Sequence, residues 1–405
     1  MYALPMFDMQ EATRLTREGR LSEAMALLQG AVSRGSAAAN APGPGGDPGR
    51  GADMLDMHPP AKAGGAWTSP FPAPASPKAA GTLSLKPKGG LLDGVLRPAF
   101  GRDAFGAGKA AASGAPIVEG ARFEDRTYAG RAGTRAYKLY VPSGFKGQPL
   151  PLVVMLHGCT QSPDDFAAGT QMNTLAEEQL FLVAYPAQPQ SANAQKCWNW
   201  FNAADQHRDQ GEPSLIAGIT RQTMRDFPVE DGRVYIAGLS AGGAAAAIMG
   251  STYPDLYSAI GVHSGLACGA ANDMHSAFSA MRQGGKRPDV AGGRSGSPVP
   301  TIVFHGDRDT TVSAINGDQV IAQSRAGVKL SAKVSAGQAD GGIAYTRTVH
   351  SDGAGRPVLE QWVLHGAGHA WSGGSSAGSY TEPRGPDASR EMVRFFLQHR
   401  ATARA

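Results

Sequence analysis

The sequence predicts an α/β fold, a mostly parallel sheet with helices on both faces, preceded by a short helical segment and a disordered linker. Three observations carry that expectation. From about residue 134 onward, short apolar runs alternate with helical stretches, and strands separated by helices imply right-handed crossovers into a parallel sheet. Runs such as Leu152-Val-Val-Met-Leu156 are apolar at every position, as strands buried on both faces are. Finally, composition divides the 405-residue chain. Residues 35–115 are dominated by Gly, Ala, Pro and Ser and have no regular period, so they bury too little apolar surface to offset the entropy of ordering.

The elements follow in order. Within a helical segment at 1–34, residues 8–33 place Ala12, Leu15, Leu21, Ala24, Leu27, Leu28 and Val32 roughly on one face. Residues 19–28 look like half of a helical-repeat hairpin, but no second copy follows, so a solenoid is excluded. The linker occupies 35–115 and one folded domain occupies 116–402. In that domain strands are expected at 136–141, ending before Pro142, at 152–156 and at 180–185, before Pro186. A helix is expected at 215–226, a strand at 233–237, and a small-residue helix at 241–252. Further strands fall at 259–262, 301–304 and 361–364, and an amphipathic helix at 386–399 closes the domain.

Charge excludes some functions. Thirty-eight Lys and Arg against 34 Asp and Glu give a net charge of +4, with no arginine-rich run and no basic residues interleaved with aromatics, so nucleic-acid binding is not expected. No 18-residue apolar stretch offers a membrane span. The first 29 residues lack a charged stretch followed by an apolar one, so no secretory signal is expected and a cytoplasmic location is favoured.

Functional groups in such sheets gather at the carboxyl ends of the strands. Gly238-Leu-Ser240-Ala-Gly242 matches the G-x-S-x-G nucleophile elbow. With 54 glycines in the chain the pentapeptide also arises by chance, and a second match exists at Gly374-Ser-Ser376-Ala-Gly378. Context separates the two. Ser240 follows an expected strand and precedes an expected helix, whereas Ser376 lies in a Gly/Ser-rich loop. Ser240 is therefore the expected nucleophile.

A serine hydroxyl is a poor nucleophile at neutral pH, so an imidazole must take its proton and a carboxylate must hold that imidazole. The order expected in this setting is Ser, acid, His. His350, His365, His369 and His399 follow the acid candidates. His369, in the glycine-rich loop Gly366-Ala-Gly-His369, is the expected base; His365, nearer the strand, reads as structural. Asp307 and Asp309 both lie past the strand at 301–304. Asp309 is preferred because it is further out on the loop, and Asp307 is expected to cap backbone amides. For the oxyanion, the elbow supplies the Ala241 amide, and the loop after Leu156 supplies that of Cys159, with Gly158 as the alternative.

Cys159, Cys197 and Cys268 lack C-x-x-C spacing, which argues against a zinc site. They allow one disulfide and one thiol, or three thiols; a bridge, if formed, pairs Cys159 with Cys197, which flank loops near the expected site. The chemistry needs neither metal nor organic cofactor.

Six segments together resemble the polyhydroxybutyrate (PHB) depolymerase family of esterases, in the α/β-hydrolase superfamily. They are Leu156-His-Gly-Cys-Thr-Gln161, Cys197-Trp-Asn-Trp-Phe201, Gly238-Leu-Ser-Ala-Gly-Gly243, Gly261-Val-His-Ser-Gly265, His305-Gly-Asp-Arg-Asp309 and Gly368-His-Ala-Trp-Ser-Gly373. The resemblance covers about 134–399. It implies hydrolysis of carboxylic esters through an acyl-enzyme, with short-chain polyhydroxyalkanoate or its oligomers as substrate; feruloyl or acetyl esters of plant polysaccharide are the alternative. Extracellular depolymerases of this family usually carry a signal peptide and a polymer-binding domain. Neither is visible here, which favours an intracellular granule, soluble oligomers or a small ester. Trp198 and Trp371 are expected in the substrate cleft, where flat aromatic faces suit an apolar polyester or an aromatic ring; Trp200 is expected in the core by alternation. A reading of another class, an inert hydrolase-fold binding protein, sits poorly with the intact Ser240, Asp309 and His369 set.

Overall fold

Where the domain is apolar without interruption, it forms the centre of a ten-stranded sheet. The computed structural model describes residues 117–285, 299–325 and 327–401; the expected helical segment at 1–34 and the linker at 35–115 lie outside them. The strands of the large sheet are β1 (Arg122–Gly130), β2 (Gly133–Val141), β3 (Leu150–Leu156), β4 (Leu182–Pro186), β5 (Val229–Leu239), β6 (Ala259–His263), β7 (Thr301–Gly306), β8 (Ser331–Gln338), β9 (Ala344–Ser351) and β10 (Pro357–Leu364). Their order across the sheet is β1-β2-β4-β3-β5-β6-β7-β10-β9-β8. β4, β3, β5, β6, β7 and β10 are mutually parallel, and antiparallel pairs close both flanks. β11 (Trp371–Ser372) and β12 (Thr381–Glu382) form a small separate parallel pair.

The helices are α1 (Pro163–Thr170), α2 (Met172–Gln179), α3 (Gly211–Asp226), α4 (Ala241–Thr252), α5 (Met274–Gln283), α6 (Ile315–Arg325) and α7 (Ala388–Leu397). Strand alternation assigns them to the two faces. Leu150, Leu152, Val154 and Leu156 of β3 point toward α3, α4, α5 and α6, which bury Ile216, Ile219, Ile248, Ala277 and Ile321 on that side. Val153 and Met155 point the other way, toward α1, α2 and α7, with Phe166, Leu175, Met392 and Phe396. In α7, Asp387 caps the N-terminus by accepting from the Arg390 amide at 2.9 Å. Met392, Val393, Phe395 and Phe396 are all buried, each contributing roughly 1.5–3 kcal/mol relative to exposure.

Register fixes what the fold does. Leu239 of β5 lies opposite His263 of β6, His263 opposite Phe304 of β7, and Gly306 of β7 opposite Leu364 of β10. β5 and β6 thus end level, β7 and β10 end level two residues further on, and the segments following β5, β7 and β10 leave from one edge.

Candidate active site

Ser240 caps the N-terminus of α4 with φ 57° and ψ −119°. A non-glycine residue there costs on the order of 1–3 kcal/mol and persists only where its surroundings impose it. Two contacts do so. The Ser240 amide donates to the His263 carbonyl at 2.9 Å, and α4 is drawn tightly onto β3: a Cβ on Gly242 would stand 2.1 Å from the Leu156 carbonyl oxygen. Only glycine permits that approach, which is why the pentapeptide carries it. The second pentapeptide has no such setting, and Ser376 lies exposed in a turn.

Beyond β7, the Asp309 carboxylate accepts from Nδ1–H of His369 at 2.7 Å. Its other oxygen accepts from the amides of Thr311 and Val312 at 2.9 and 2.8 Å. Burial works to raise the Asp309 pKa, but hydrogen bonds from His305 and His369 and their charge outweigh it, and the carboxyl is held well below its usual range. In the neutral imidazole that donates from Nδ1, Nε2 carries no proton, the state a general base requires. Asp307 makes a second pair on the same loops, accepting from His365 Nδ1 at 3.0 Å and from the Gly366 amide at 2.7 Å. The two loops are also joined directly, Arg308 N–H donating to the Ala367 carbonyl at 3.1 Å.

Past β3, the Gly158 amide donates to Gln161 Oε1 at 2.9 Å. The Cys159 and Ala241 amides have no hydrogen-bond partner among the described residues, as an anion site built from backbone donors requires. Cys159 is disulfide-bonded to Cys197, and Thr160 N–H donates to the Gln195 carbonyl at 2.6 Å. The loop bearing the Cys159 amide is therefore stapled to the loop that precedes α3.

Two histidines that chain order set aside brace this rim. His157 donates through Nδ1 to the Gly158 carbonyl at 2.7 Å and accepts at Nε2 from the Gln188 amide at 3.1 Å. Burial lowers its pKa to about 4. His263 accepts at Nε2 from the Ser372 amide at 3.0 Å, and burial, followed by the neighbouring His305 and His369, lowers its pKa to about 3. Both are neutral tethers at neutral pH. Their one signal in the sequence is a polar residue closing an apolar strand run.

The expectation that Trp198 and Trp371 present faces to a substrate cleft is corrected here, because both are buried, 0% and 1% exposed. Trp198 donates to the His157 carbonyl at 3.1 Å. Trp371 donates to Ser389 Oγ at 3.0 Å and stacks on His263 with ring centroids 5.0 Å apart. Each supports a loop of the site from beneath. Trp200 is also buried. Among the described residues no group of three or more His, Cys, Asp or Glu side chains is arranged to hold a metal ion, and no helix is long and apolar enough to cross a membrane.

A strained serine on a strand-to-helix turn, within a parallel sheet covered on both faces, defines the chain as an α/β-hydrolase. More narrowly, residues 135–342 match the family model described as esterase PHB depolymerase, and the chain belongs to that family. It is 34% identical over 241 residues to poly(3-hydroxyalkanoate) depolymerase C of Paucimonas lemoignei, a match spanning 57% of each chain. It is 29% identical over 248 residues to feruloyl esterase B of Thermothelomyces thermophilus, spanning 57% of this chain and 82% of that one. Among solved structures, the acetyl xylan esterase from Aspergillus awamori shares the fold, with a TM-score of 0.52 at 22% identity over 68% of this chain and 99% of that one.

Proposed function

We propose that the protein is a serine-dependent carboxylic ester hydrolase with Ser240 as nucleophile, His369 as general base and Asp309 as its orienting carboxylate. The observation that carries this reading is the buried Asp309–His369 hydrogen bond at the edge where the elbow bearing Ser240 also ends. His369 Nε2 takes the Ser240 proton as Oγ attacks the ester carbonyl carbon. The amides of Ala241 and Cys159 receive the negative charge on the carbonyl oxygen. His369 then returns the proton to the departing alcohol, leaving an acyl-Ser240 that water cleaves by the same steps in reverse. The catalytic domain is assigned to residues 116–402.

For substrate we favour short-chain polyhydroxyalkanoate or its oligomers, on the family and on the relative named as a depolymerase. The relative named feruloyl esterase, matched over most of its length, supports feruloyl or acetyl esters as the second reading. The Cys159–Cys197 disulfide favours an oxidising compartment over the cytoplasm. The test is hydrolysis of a p-nitrophenyl short-chain ester by the native chain and by Ser240→Ala. Turnover that survives the substitution refutes the mechanism. Release of 3-hydroxybutyrate from amorphous granules, set against release of ferulate from a feruloylated sugar, ranks the two substrates.

A further inference from the structure

Gln161 closes the segment that holds the Cys159 amide, and its side chain is 3% exposed. Oε1 accepts from the Gly158 amide at 2.9 Å, while Nε2 donates to Asp165 Oδ2 at 2.9 Å and to the Ser379 carbonyl at 3.1 Å. Its orientation is dictated by its partners: a donor faces one end of the amide, and acceptors face the other. Asp165 in turn accepts from the Ser379 amide at 2.9 Å. Ser379 follows His369 by ten residues, on the segment between β11 and β12. Between the two anchored ends of this turn, Thr160 takes φ 66°, a left-handed conformation rare for such a residue.

Gly158 also lies against the elbow, where a Cβ would meet the Leu239 carbonyl oxygen at 3.6 Å. Two successive amides, those of Gly158 and Cys159, therefore lie on a turn beside the residue that precedes Ser240. One is consumed by Gln161, and the next is left without a partner among the described residues.

We propose that Gln161 is a positioning residue: by holding the Gly158 amide it turns the following peptide so that the Cys159 amide meets the oxyanion, and it ties that amide to the segment carrying His369. The inference rests on the esterase reading and deepens it. Gln161 acts through the backbone and touches no reacting atom.

The test compares the native chain with Gln161→Met, which matches the side chain in length but removes both hydrogen-bonding ends, and with the double variant Gln161→Glu with Asp165→Asn, which keeps an acceptor for the Gly158 amide and reverses the donor and acceptor at the other end. Outright loss of an oxyanion donor costs about 10²–10³ in kcat. Gln161→Met is therefore expected to lower kcat on p-nitrophenyl butyrate by about 10–100-fold with KM within about twofold. Affinity for a short alkylboronic acid, which forms a tetrahedral adduct on the serine, should weaken by the same factor. The double variant should stay within about tenfold of native kcat, with boronate affinity following it. It can be judged alone if Gln161→Met does not fold.

A Gln161→Met protein with native kcat overturns the inference. So does lost kcat with undiminished boronate affinity, or a loss in the double variant as large as in Gln161→Met. A native chain that neither turns over the ester nor takes the boronate refutes the esterase reading itself; an active native chain with an indifferent Gln161→Met refutes this inference alone.

Discussion

Two aspartate–histidine pairs bridge the same two loops, with the same residue types and nearly the same hydrogen-bond length. Asp309 and His369 meet at 2.7 Å with side chains 0% and 11% exposed; Asp307 and His365 meet at 3.0 Å with side chains 39% and 43% exposed. Water separates them in function. In the buried pair the attraction is unscreened, and two backbone amides fix the carboxylate, so the imidazole has one orientation. In the outer pair solvent competes for every bond, and Asp307 spends its second oxygen on the Gly366 amide. The outer pair fastens the loops, and in the mechanism we propose the inner pair moves the proton.

The largest effects should fall on one side of that comparison. His369→Ala and Asp309→Asn are each expected to lower kcat by about 10³–10⁴ or more. His365→Ala and Asp307→Asn should stay within about tenfold, a loss traceable to loop mobility. Comparable losses in both pairs, measured by steady-state turnover of a p-nitrophenyl ester, would erase the distinction.

A smaller effect concerns the loop facing the inner pair. The disulfide closes a segment with a sequence separation of 38, and a closed loop of that length stabilises the fold by about 3–4 kcal/mol through the unfolded chain. The double substitution Cys159→Ser with Cys197→Ser should lower the urea-unfolding free energy by about that much. A change under about 1 kcal/mol would leave the bridge without a stabilising role.

The smallest effect concerns the buried imidazoles in acid, taken one at a time. His157 and His263 have pKa values of about 4 and about 3 in the folded chain, against an ordinary 6.5. Between pH 6.5 and about 3 the unfolded chain therefore binds more protons. Stability is full above 6.5 and falls as the pH drops through that window, by about 2 kcal/mol from each of the two groups at pH 5 and by more at pH 4. His263→Gln should flatten the fall. Unfolding free energies at pH 7, 5 and 4 measure both slopes.

Much of this arrangement is legible in the residues. Runs buried on both faces, such as β3 and β4, announce themselves because no position must be polar, and the strand-to-helix context singles out Ser240. β8 leaves no such signature. It reads Ser-Ala-Lys-Val-Ser-Ala-Gly-Gln at the sheet's edge and is exposed along almost its whole length, so burial imposes no pattern on it. α1 and α2, eight residues each, are too short to establish a period. Trp198 and Trp371 mislead because an aromatic residue beside a reactive motif can face the substrate or support the loop, and only tertiary packing decides. Gln161 and His263 escape a search for reacting groups because both act on backbone amides.

The central claim, that one serine on this sheet edge is the nucleophile, is tested most directly by labelling the native chain with a fluorophosphonate and mapping the adduct by peptide mass spectrometry. A single adduct on Ser240, absent from His369→Ala under the same exposure, is the predicted result. An adduct on Ser376 or on any other residue, or none on a chain that still hydrolyses esters, would contradict it.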